Sequence, residues 1–132
     1  MKTTLITLAC AACCAFAGTA GAAISKDEYK TQKDRIEADY KASKERCGAL
    51  KDNAQDICKV EAKGAYKTAK ADLEAQYKPS PRNDEKARTA KADAAYELAK
   101  ERCDDMKGEA KDSCKKDAKA AMVSAKSDAK KS

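Results

Sequence analysis

Apolar residues recur every three or four positions along most of this chain, which is the spacing of one face of an α-helix. The residues between them are mostly Ala, Lys, Glu and Gln, which are strong helix formers. No stretch alternates apolar and polar residues in the manner of a strand. The pattern therefore predicts an all-α protein of four helices with coiled-coil-like spacing. The stripes are Tyr29, Ile36, Tyr40, Cys47 and Leu50; Ala62, Tyr66, Ala69, Leu73 and Tyr77; and Ala92, Tyr96, Ala99, Cys103 and Met106.

The pattern repeats itself after 56 residues. The segment Tyr40-Lys-Ala-Ser-Lys-Glu-Arg-Cys47 corresponds to Tyr96-Glu-Leu-Ala-Lys-Glu-Arg-Cys103. A second cysteine follows after the same gap in each copy, at Cys58 and Cys114. A general excess of Ala and Lys does not explain a shared Glu-Arg-Cys triplet followed by an equal gap. The sequence predicts two tandem helical hairpins, packed as a four-helix bundle or as semi-independent units.

Turn signals divide each copy into two helices. Gly108 is suited to a left-handed helix stop, and Asp52, at the equivalent place, is suited to cap the next helix with Gln55 three residues on. Between the copies, Ser80 is a candidate N-cap and Pro81 fits the first turn of a helix. The expected segments are a signal peptide (1–22), a first hairpin (23–78), a Pro-containing linker (79–82) and a second hairpin with a Lys-rich tail (83–132).

The N-terminus has the three parts of a secretory signal peptide. Lys2 gives a positive start, an uncharged apolar run extends from Leu5 to Phe16, and Ala20-Gly21-Ala22 is the expected recognition triplet. Because a bilayer span needs about 20 apolar residues, cleavage before Ala23 or Ile24 is favoured over a retained anchor. Cleavage is also favoured over lipid attachment at one of the early cysteines, since none has Leu three positions before it. Those cysteines are Cys10, Cys13 and Cys14.

Cleavage would reduce seven cysteines to four: Cys47, Cys58, Cys103 and Cys114. An even number in an exported chain favours disulfides. On one continuous helix the members of a pair would be about 16 Å apart, whereas a disulfide needs Cα atoms within about 7 Å. A turn between them brings them opposite each other, so we predict the pairs Cys47–Cys58 and Cys103–Cys114.

A zinc site made from the four mature cysteines is one alternative, and a redox-active thiol pair is another. Both are less favoured, because zinc ligands usually come in pairs two to four residues apart and redox cysteines are usually separated by two residues.

Composition argues against catalysis and against nucleic-acid binding. The chain has no His, the usual general base, and its carboxylates are scattered. Its 28 Lys/Arg and 22 Asp/Glu are interleaved despite a net charge of +6, whereas a nucleic-acid binder gathers its basic residues on one surface. We expect no enzyme, no cofactor or metal, no nucleic-acid partner and no stable membrane insertion after cleavage. The Lys-rich end is expected to be a frayed tail.

The repeated pattern of Glu-Arg-Cys, ten residues, Cys-Lys and then acid-Ala-Lys, behind a signal peptide, resembles a group of small exported Ala/Lys-rich helical proteins of Gram-negative bacteria, loosely labelled TolA-like. The resemblance covers essentially the whole mature chain, although TolA itself is similar in composition alone. It implies a periplasmic location and carries no functional residues across.

These features favour a non-enzymatic structural or interaction protein of the cell envelope that binds an envelope protein or polymer. A stress-related function is one role that such a protein could have. One alternative is a metal- or thiol-handling protein that uses the four cysteines. A second is a chaperone-like binder of unfolded chains, which needs an exposed apolar groove.

Overall fold

The structure, a computed structural model, describes residues 22–131. Over this range the chain forms four α-helices: α1 (Lys26–Gly48), α2 (Asp52–Tyr77), α3 (Pro81–Cys103) and α4 (Gly108–Lys131). No strand occurs within these residues, which confirms the all-α fold class. The predicted signal peptide, apart from Ala22, and its three cysteines lie outside the described residues.

Side-chain caps fix the starts of α1 and α3. The Ser25 hydroxyl accepts a hydrogen bond from the Glu28 backbone N–H at 3.2 Å, and the Glu28 carboxylate accepts one from the Ser25 N–H at 2.8 Å. This reciprocal capping box lowers the pKa of Glu28. At α3, the Ser80 hydroxyl accepts from the Asn83 N–H at 3.2 Å and Pro81 occupies the first turn, as predicted.

The turns inside the hairpins differ from the prediction in detail. Asp52 does not cap α2: the N-cap residue is Lys51, without a side-chain hydrogen bond, and Asp52 is the first helical residue, with a φ of 52°. Gly108 has the predicted left-handed backbone, with a φ of 57°, but it begins α4. A stop at Gly108 would have extended α3 to Lys107, but α3 ends at Cys103, where the chain leaves the helix through tight hydrogen bonds such as Met106 N–H to the Cys103 carbonyl at 3.0 Å.

Each helix packs only against its neighbours along the described chain. Within residues 22–131, α1 contacts α2, α2 contacts α3 and α3 contacts α4, while α1 contacts neither α3 nor α4. A closed up-and-down bundle would bring α1 against α4, and semi-independent hairpins would lack the α2–α3 interface, which is the most extensive of those described. The helices therefore form an open single layer. This arrangement is neither the closed four-helix bundle nor the pair of semi-independent hairpins that the sequence predicted.

Gly64 allows α2 and α3 to approach closely. A Cβ atom at this position would lie 3.0 Å from the Ala94 Cβ, closer than side chains normally pack. In the second repeat, Ala120 and Lys116 stand where Gly64 and Val60 stand in the first. The outer edge of α4 thus lacks both the glycine and the apolar residue that α2 presents towards α3.

The core is thin and lies between neighbouring helices, both within each hairpin and between α2 and α3. In the first hairpin the Tyr40 and Tyr66 rings stack with centroids 4.5 Å apart. In the second, Tyr96 and Met122 occupy the equivalent places and line one groove. The buried apolar residues of the described chain are few and mostly small, so burial contributes modestly to stability. They are Cys47, Leu73, Ala87, Ala92, Cys103 and Ala129.

Candidate functional site: the hairpin necks and the alanine face

The predicted disulfide pairs are the ones that the structure forms. Cys47 is bonded to Cys58 and Cys103 to Cys114, with Cα–Cα distances of 5.5 and 5.7 Å. Cys47 and Cys103 are fully buried, and their partners are half-buried. Each bridge joins the C-terminal end of one helix to the second turn of the next. We call the two segments that the bridges close, each from one cysteine to its partner, the hairpin necks.

The disulfides limit the chemistry of the four sulfur atoms. A sulfur atom in a disulfide is neither a thiolate ligand for a metal nor a thiol nucleophile. Among the described residues, no group of three or more His, Cys, Asp or Glu side chains is arranged to hold a metal ion. The two bridges are compatible with an oxidising, extracytoplasmic compartment.

Both necks lie at the same end of the layer, because successive helices run in opposite directions. Leu50 and Met106 occupy equivalent positions in the two turns and are 42% and 45% exposed. Two helix spacings, about 20 Å, separate the necks. Two partly exposed side chains at that separation bury too little apolar area to bind a membrane or a protein by themselves.

An ion-pair cluster strengthens the second neck. The Asp104 carboxylate lies 2.8 Å from the Lys111 Nζ and 2.7 Å from the Lys115 Nζ. The hydrogen bonds from these two lysines lower the pKa of Asp104 to about 2. The first neck has Gly48 at the equivalent position, so the cluster distinguishes the second hairpin from the first.

Three shallow grooves run side by side on one broad side of the layer. The α1–α2 and α2–α3 grooves are both lined by Ala65 and Ala69, and the α2–α3 and α3–α4 grooves are both lined by Ala95. A residue lines two neighbouring grooves only when it lies on the crest of the helix between them, so the three grooves open on the same side. We call this surface, whose crests include Ala65, Ala69, Ala95 and Ala121, the alanine face.

The groove floors of the alanine face are formed by larger apolar side chains. Tyr40 and Tyr66 line the first groove, Leu98 the second, and Tyr96 and Met122 the third. All five are half-buried in the described chain. Most residues that line the three grooves of the alanine face are apolar, and Asp39, Glu61 and Asp72 are charged exceptions.

On the opposite side of the layer, the α2–α3 groove carries more charged residues. Lys63 and Lys67 lie two positions from Ala65, which is about 200° around the axis of α2. With Asp93 and Glu97 of α3 they line the groove on that side. At the α2–α3 interface, the groove on this side therefore has four charged lining residues, whereas the groove on the alanine face has two, Glu61 and Asp72.

At the linker end of the layer, the first turn of α1 and the residues just before it contact the end of α2. The Ile24 backbone N–H donates to the Gln76 carbonyl at 3.1 Å. The Tyr29 hydroxyl donates to the Glu74 carboxylate at 3.1 Å, and its ring stacks on Tyr77 at 4.4 Å. The hydrogen bond to the carboxylate, together with burial, raises the pKa of Tyr29.

The Lys-rich end of the described chain is part of the layer. Helix α4 continues to Lys131. The Arg88 guanidinium donates two hydrogen bonds to the Ala129 carbonyl, at 3.2 and 2.8 Å, and so satisfies an acceptor in the last turn of α4. The expected frayed tail is thus a helix held by a side chain from α3.

The four cysteines were predicted from the sequence, whereas three other features were not. The Ser25-Lys-Asp-Glu28 capping box has a sequence signature that was available. Gly64 in the middle of a helical pattern was also a signal, because such a glycine often marks close packing. The alanine face had no comparable signal, because alanine is common on every side of these helices.

No helix among residues 22–131 is both long enough and apolar enough to cross a bilayer. Comparison with protein-family models, curated proteins and solved structures found no match to this chain. Its function must therefore be argued from its own residues and geometry.

Proposed function

We propose that this chain is a non-enzymatic interaction protein of the periplasm, exported by its signal peptide, and that its rigid helical layer presents the alanine face to a partner in the cell envelope. The observation that supports this best is the open layer itself. Because α1 and α4 do not meet, the grooves of the described helices face outward and enclose no site. A broad, shallow surface of this kind suits binding to another macromolecule better than binding to a small substrate.

The disulfides support the same proposal, because they make the layer rigid. Each bridge fixes the end of one helix against the start of the next, and the close Gly64–Ala94 approach joins the two hairpins. A surface that is already ordered loses little conformational entropy when a partner binds. The resemblance to TolA-like exported proteins favours the same compartment and the same class of role.

The alternative of metal or thiol handling requires the cysteines as thiolates. Thiol counting on protein recovered from the periplasm separates the two roles. The proposal predicts that Ellman's reagent finds no thiol in the denatured, unreduced mature protein and four after reduction, at Cys47, Cys58, Cys103 and Cys114. Two or more thiols before reduction would favour the alternative.

In-cell photo-cross-linking tests the proposed surface. A photoreactive phenylalanine analogue replaces Ala95 on the alanine face in one variant, and exposed Ala120 on the outer edge of α4 in the control. In a Gram-negative host that exports the protein, we expect a discrete adduct from position 95 and none from position 120. Equal labelling, no adduct from either position, or a protein that stays in the cytoplasm would overturn the proposal. A broad smear of adducts would favour the chaperone-like alternative instead.

A further inference from the structure

We propose that the broad side of the layer opposite the alanine face binds the anionic headgroups of a lipid bilayer, and that the protein lies on the membrane surface without inserting into it. This inference goes beyond the proposed function, because it concerns the other side of the layer. It rests on the way in which the fold separates charges that are interleaved along the sequence. The two broad sides of the first hairpin carry net charges of opposite sign.

The helix axes lie nearly in one plane. On α2, Gly64 faces α3 and Tyr66 faces α1. These residues are two positions apart, about 200° around the helix, so α1 and α3 lie on nearly opposite sides of α2. On α3, Ala94 and Tyr96 have the same spacing and face α2 and α4. The layer is therefore nearly flat.

We call the side of the first hairpin opposite the alanine face the lysine face. On α2 it contains Lys63 and Lys67, which line the groove on that side, and the positions that continue their helical spacing. All of these are charged: Asp56, Lys59, Lys63, Lys67, Lys70 and Glu74. On α1, Asp39 lines a groove of the alanine face, so Lys41, two positions further on, lies on the lysine face. Helical spacing from Lys41 again gives charged positions alone: Lys26, Lys30, Lys33, Glu37, Lys41 and Lys44.

The lysine face has a net charge of +6, from nine lysines and three carboxylates. The twelve positions two residues further along the chain face the other broad side, and they hold two arginines and four carboxylates, a net charge of −2. In the second hairpin, the positions 56 residues beyond those of the lysine face hold seven basic and three acidic residues. The fold therefore gathers on one broad side basic residues that are dispersed in the sequence.

Most ammonium groups of the lysine face have no carboxylate partner. All nine lysines are exposed. The three carboxylates of the face each pair with one lysine, at 3.9, 3.9 and 3.5 Å, and two of these lysines belong to the face. Among the described residues, no carboxylate oxygen lies within 4.0 Å of the other seven. Two of the seven, Lys44 and Lys70, lie over the rings of Tyr40 and Tyr66.

Charge and shape together favour a bilayer as the occupant. A flat basic surface brings many of its lysines to a flat anionic surface at once, and each basic residue near such a surface strengthens binding about fivefold. A nucleic-acid duplex is a cylinder and would meet only part of the face. Single-stranded nucleic acids bind by stacking their bases on aromatic side chains, whereas the four tyrosines of this hairpin stack in pairs between α1 and α2.

The lysine face has no apolar side chain that could enter the hydrocarbon region of a bilayer. Binding would therefore be electrostatic and reversible, with α1 and α2 lying on the headgroups. It should weaken as salt screens the attraction. The alanine face would then point away from the membrane, towards the proposed partner.

Co-sedimentation of the purified mature, disulfide-bonded protein with lipid vesicles tests the inference. The vesicles contain phosphatidylcholine alone or with about 30% phosphatidylglycerol, in about 50 or about 500 mM NaCl. The test variant combines Lys41→Gln, Lys63→Gln and Lys67→Gln, because these lysines are exposed and glutamine is also a good helix former. A charge-preserving variant replaces the same three lysines with arginine.

The matched control removes three positive charges from the other broad side. It combines Arg35→Gln, Arg46→Gln and Arg102→Gln, which are exposed positions. We expect the native protein to bind only the vesicles with phosphatidylglycerol, and only at the lower salt concentration. The test variant should bind these vesicles at least about thirtyfold more weakly, whereas the arginine-for-lysine variant and the control should stay within about threefold of the native affinity.

The inference would be overturned if the native protein did not bind the anionic vesicles or bound phosphatidylcholine alone equally well. Equal weakening by the test variant and the control would also overturn it, and so would tighter binding to a duplex oligonucleotide than to the vesicles. If circular dichroism shows a loss of helix in the test variant, Lys26→Gln with Lys30→Gln replaces it, and at least about tenfold weaker binding is expected. Photo-cross-linking from Ala95 examines the opposite side, so its failure would remove the proposed function and leave this inference standing.

Discussion

At the scale of single residues, the two repeats place different amino acids in the same strained position. Asp52 and Gly108 are equivalent in the repeat and have φ angles of 52° and 57°. Glycine adopts this left-handed conformation readily, whereas a residue with a Cβ atom meets steric repulsion there. The first hairpin is therefore less favourable than the second at this turn.

Exchange of the two residues should shift stability in opposite directions. We expect Asp52→Gly to raise the free energy of unfolding by about 0.5–1 kcal/mol and Gly108→Asp to lower it by a similar amount. Urea denaturation followed by circular dichroism measures both. Gly48→Ala is a suitable control, because a Cβ at position 48 meets no atom within 4 Å. Destabilisation by Asp52→Gly would show that the aspartate side chain contributes more than its backbone strain removes.

The ion pairs of Asp104 should make the thermal stability of the protein depend on pH in the acidic range. Its two lysine partners lower its pKa from 3.8 to about 2, so the folded state binds a proton less readily than the unfolded state does. The stabilisation is complete above the unfolded pKa and is lost as the pH falls through about 4 to about 2. We expect Asp104→Asn to flatten the fall of Tm over that range, with Asp105→Asn as the control. An equally steep fall in the two variants would show that other carboxylates cause it.

At the scale of the elements, the disulfides compensate for a thin core. Each bridge closes a loop of about 12 residues, for which the chain-entropy model gives about 3 kcal/mol. We expect Cys47→Ser with Cys58→Ser to lower the Tm by roughly 10–15 °C and to leave the Cys103–Cys114 bridge intact. Differential scanning calorimetry gives the Tm, and peptide mapping checks the remaining bridge. An unchanged Tm would show that the core suffices without this cross-link.

The close approach at Gly64 should control the docking of the two hairpins. A Leu side chain at position 64 would enter space that Ala94 already occupies, whereas Leu at the equivalent Ala120 would point into solvent. We expect Gly64→Leu to lower the free energy of unfolding by about 1–3 kcal/mol and Ala120→Leu to change it by less than about 0.5 kcal/mol. Urea titrations compare the two. Equal effects would indicate that α2 and α3 do not pack as described.

Local signals in the sequence predicted most of these elements. The heptad-like stripes, Ser80 and Pro81 indicated the helices, and the equal cysteine gaps indicated the bridges, because each depends on residues close together in the chain. The predicted end of α3, next to Gly108, was wrong, because the tight turn that ends this helix depends on the geometry of the neck. The Arg88–Ala129 contact joins residues 41 positions apart, and the alanine face depends on which helices lie side by side. Neither feature could therefore be predicted without the three-dimensional structure.

At the scale of the whole molecule, the duplicated hairpin forms a layer with unlike sides. One broad side is rich in alanine, the other carries more charged side chains at the α2–α3 groove, and both disulfides lie at one end. On the outer edge of α4, Lys116 and Ala120 stand where α2 has Val60 and Gly64, which face α3. This edge is therefore unsuited to packing against a further hairpin of the same kind. The proposed surface for association is therefore the alanine face and not the outer edge of α4.

Non-reducing peptide mapping of the protein recovered from the periplasm tests the central claim, that this is an exported layer of two disulfide-linked hairpins. Trypsin separates the members of each pair, because Lys51 lies between Cys47 and Cys58, and Lys107 lies between Cys103 and Cys114.

We expect one linked peptide for each of these pairs, no thiol-containing peptide, and an N-terminal peptide that begins at Ala23 or Ile24. A peptide that joins Cys47 to Cys103 or Cys114 would contradict the fold. A chain that retains Met1, or cysteines recovered as thiols, would contradict the export on which the proposed function depends.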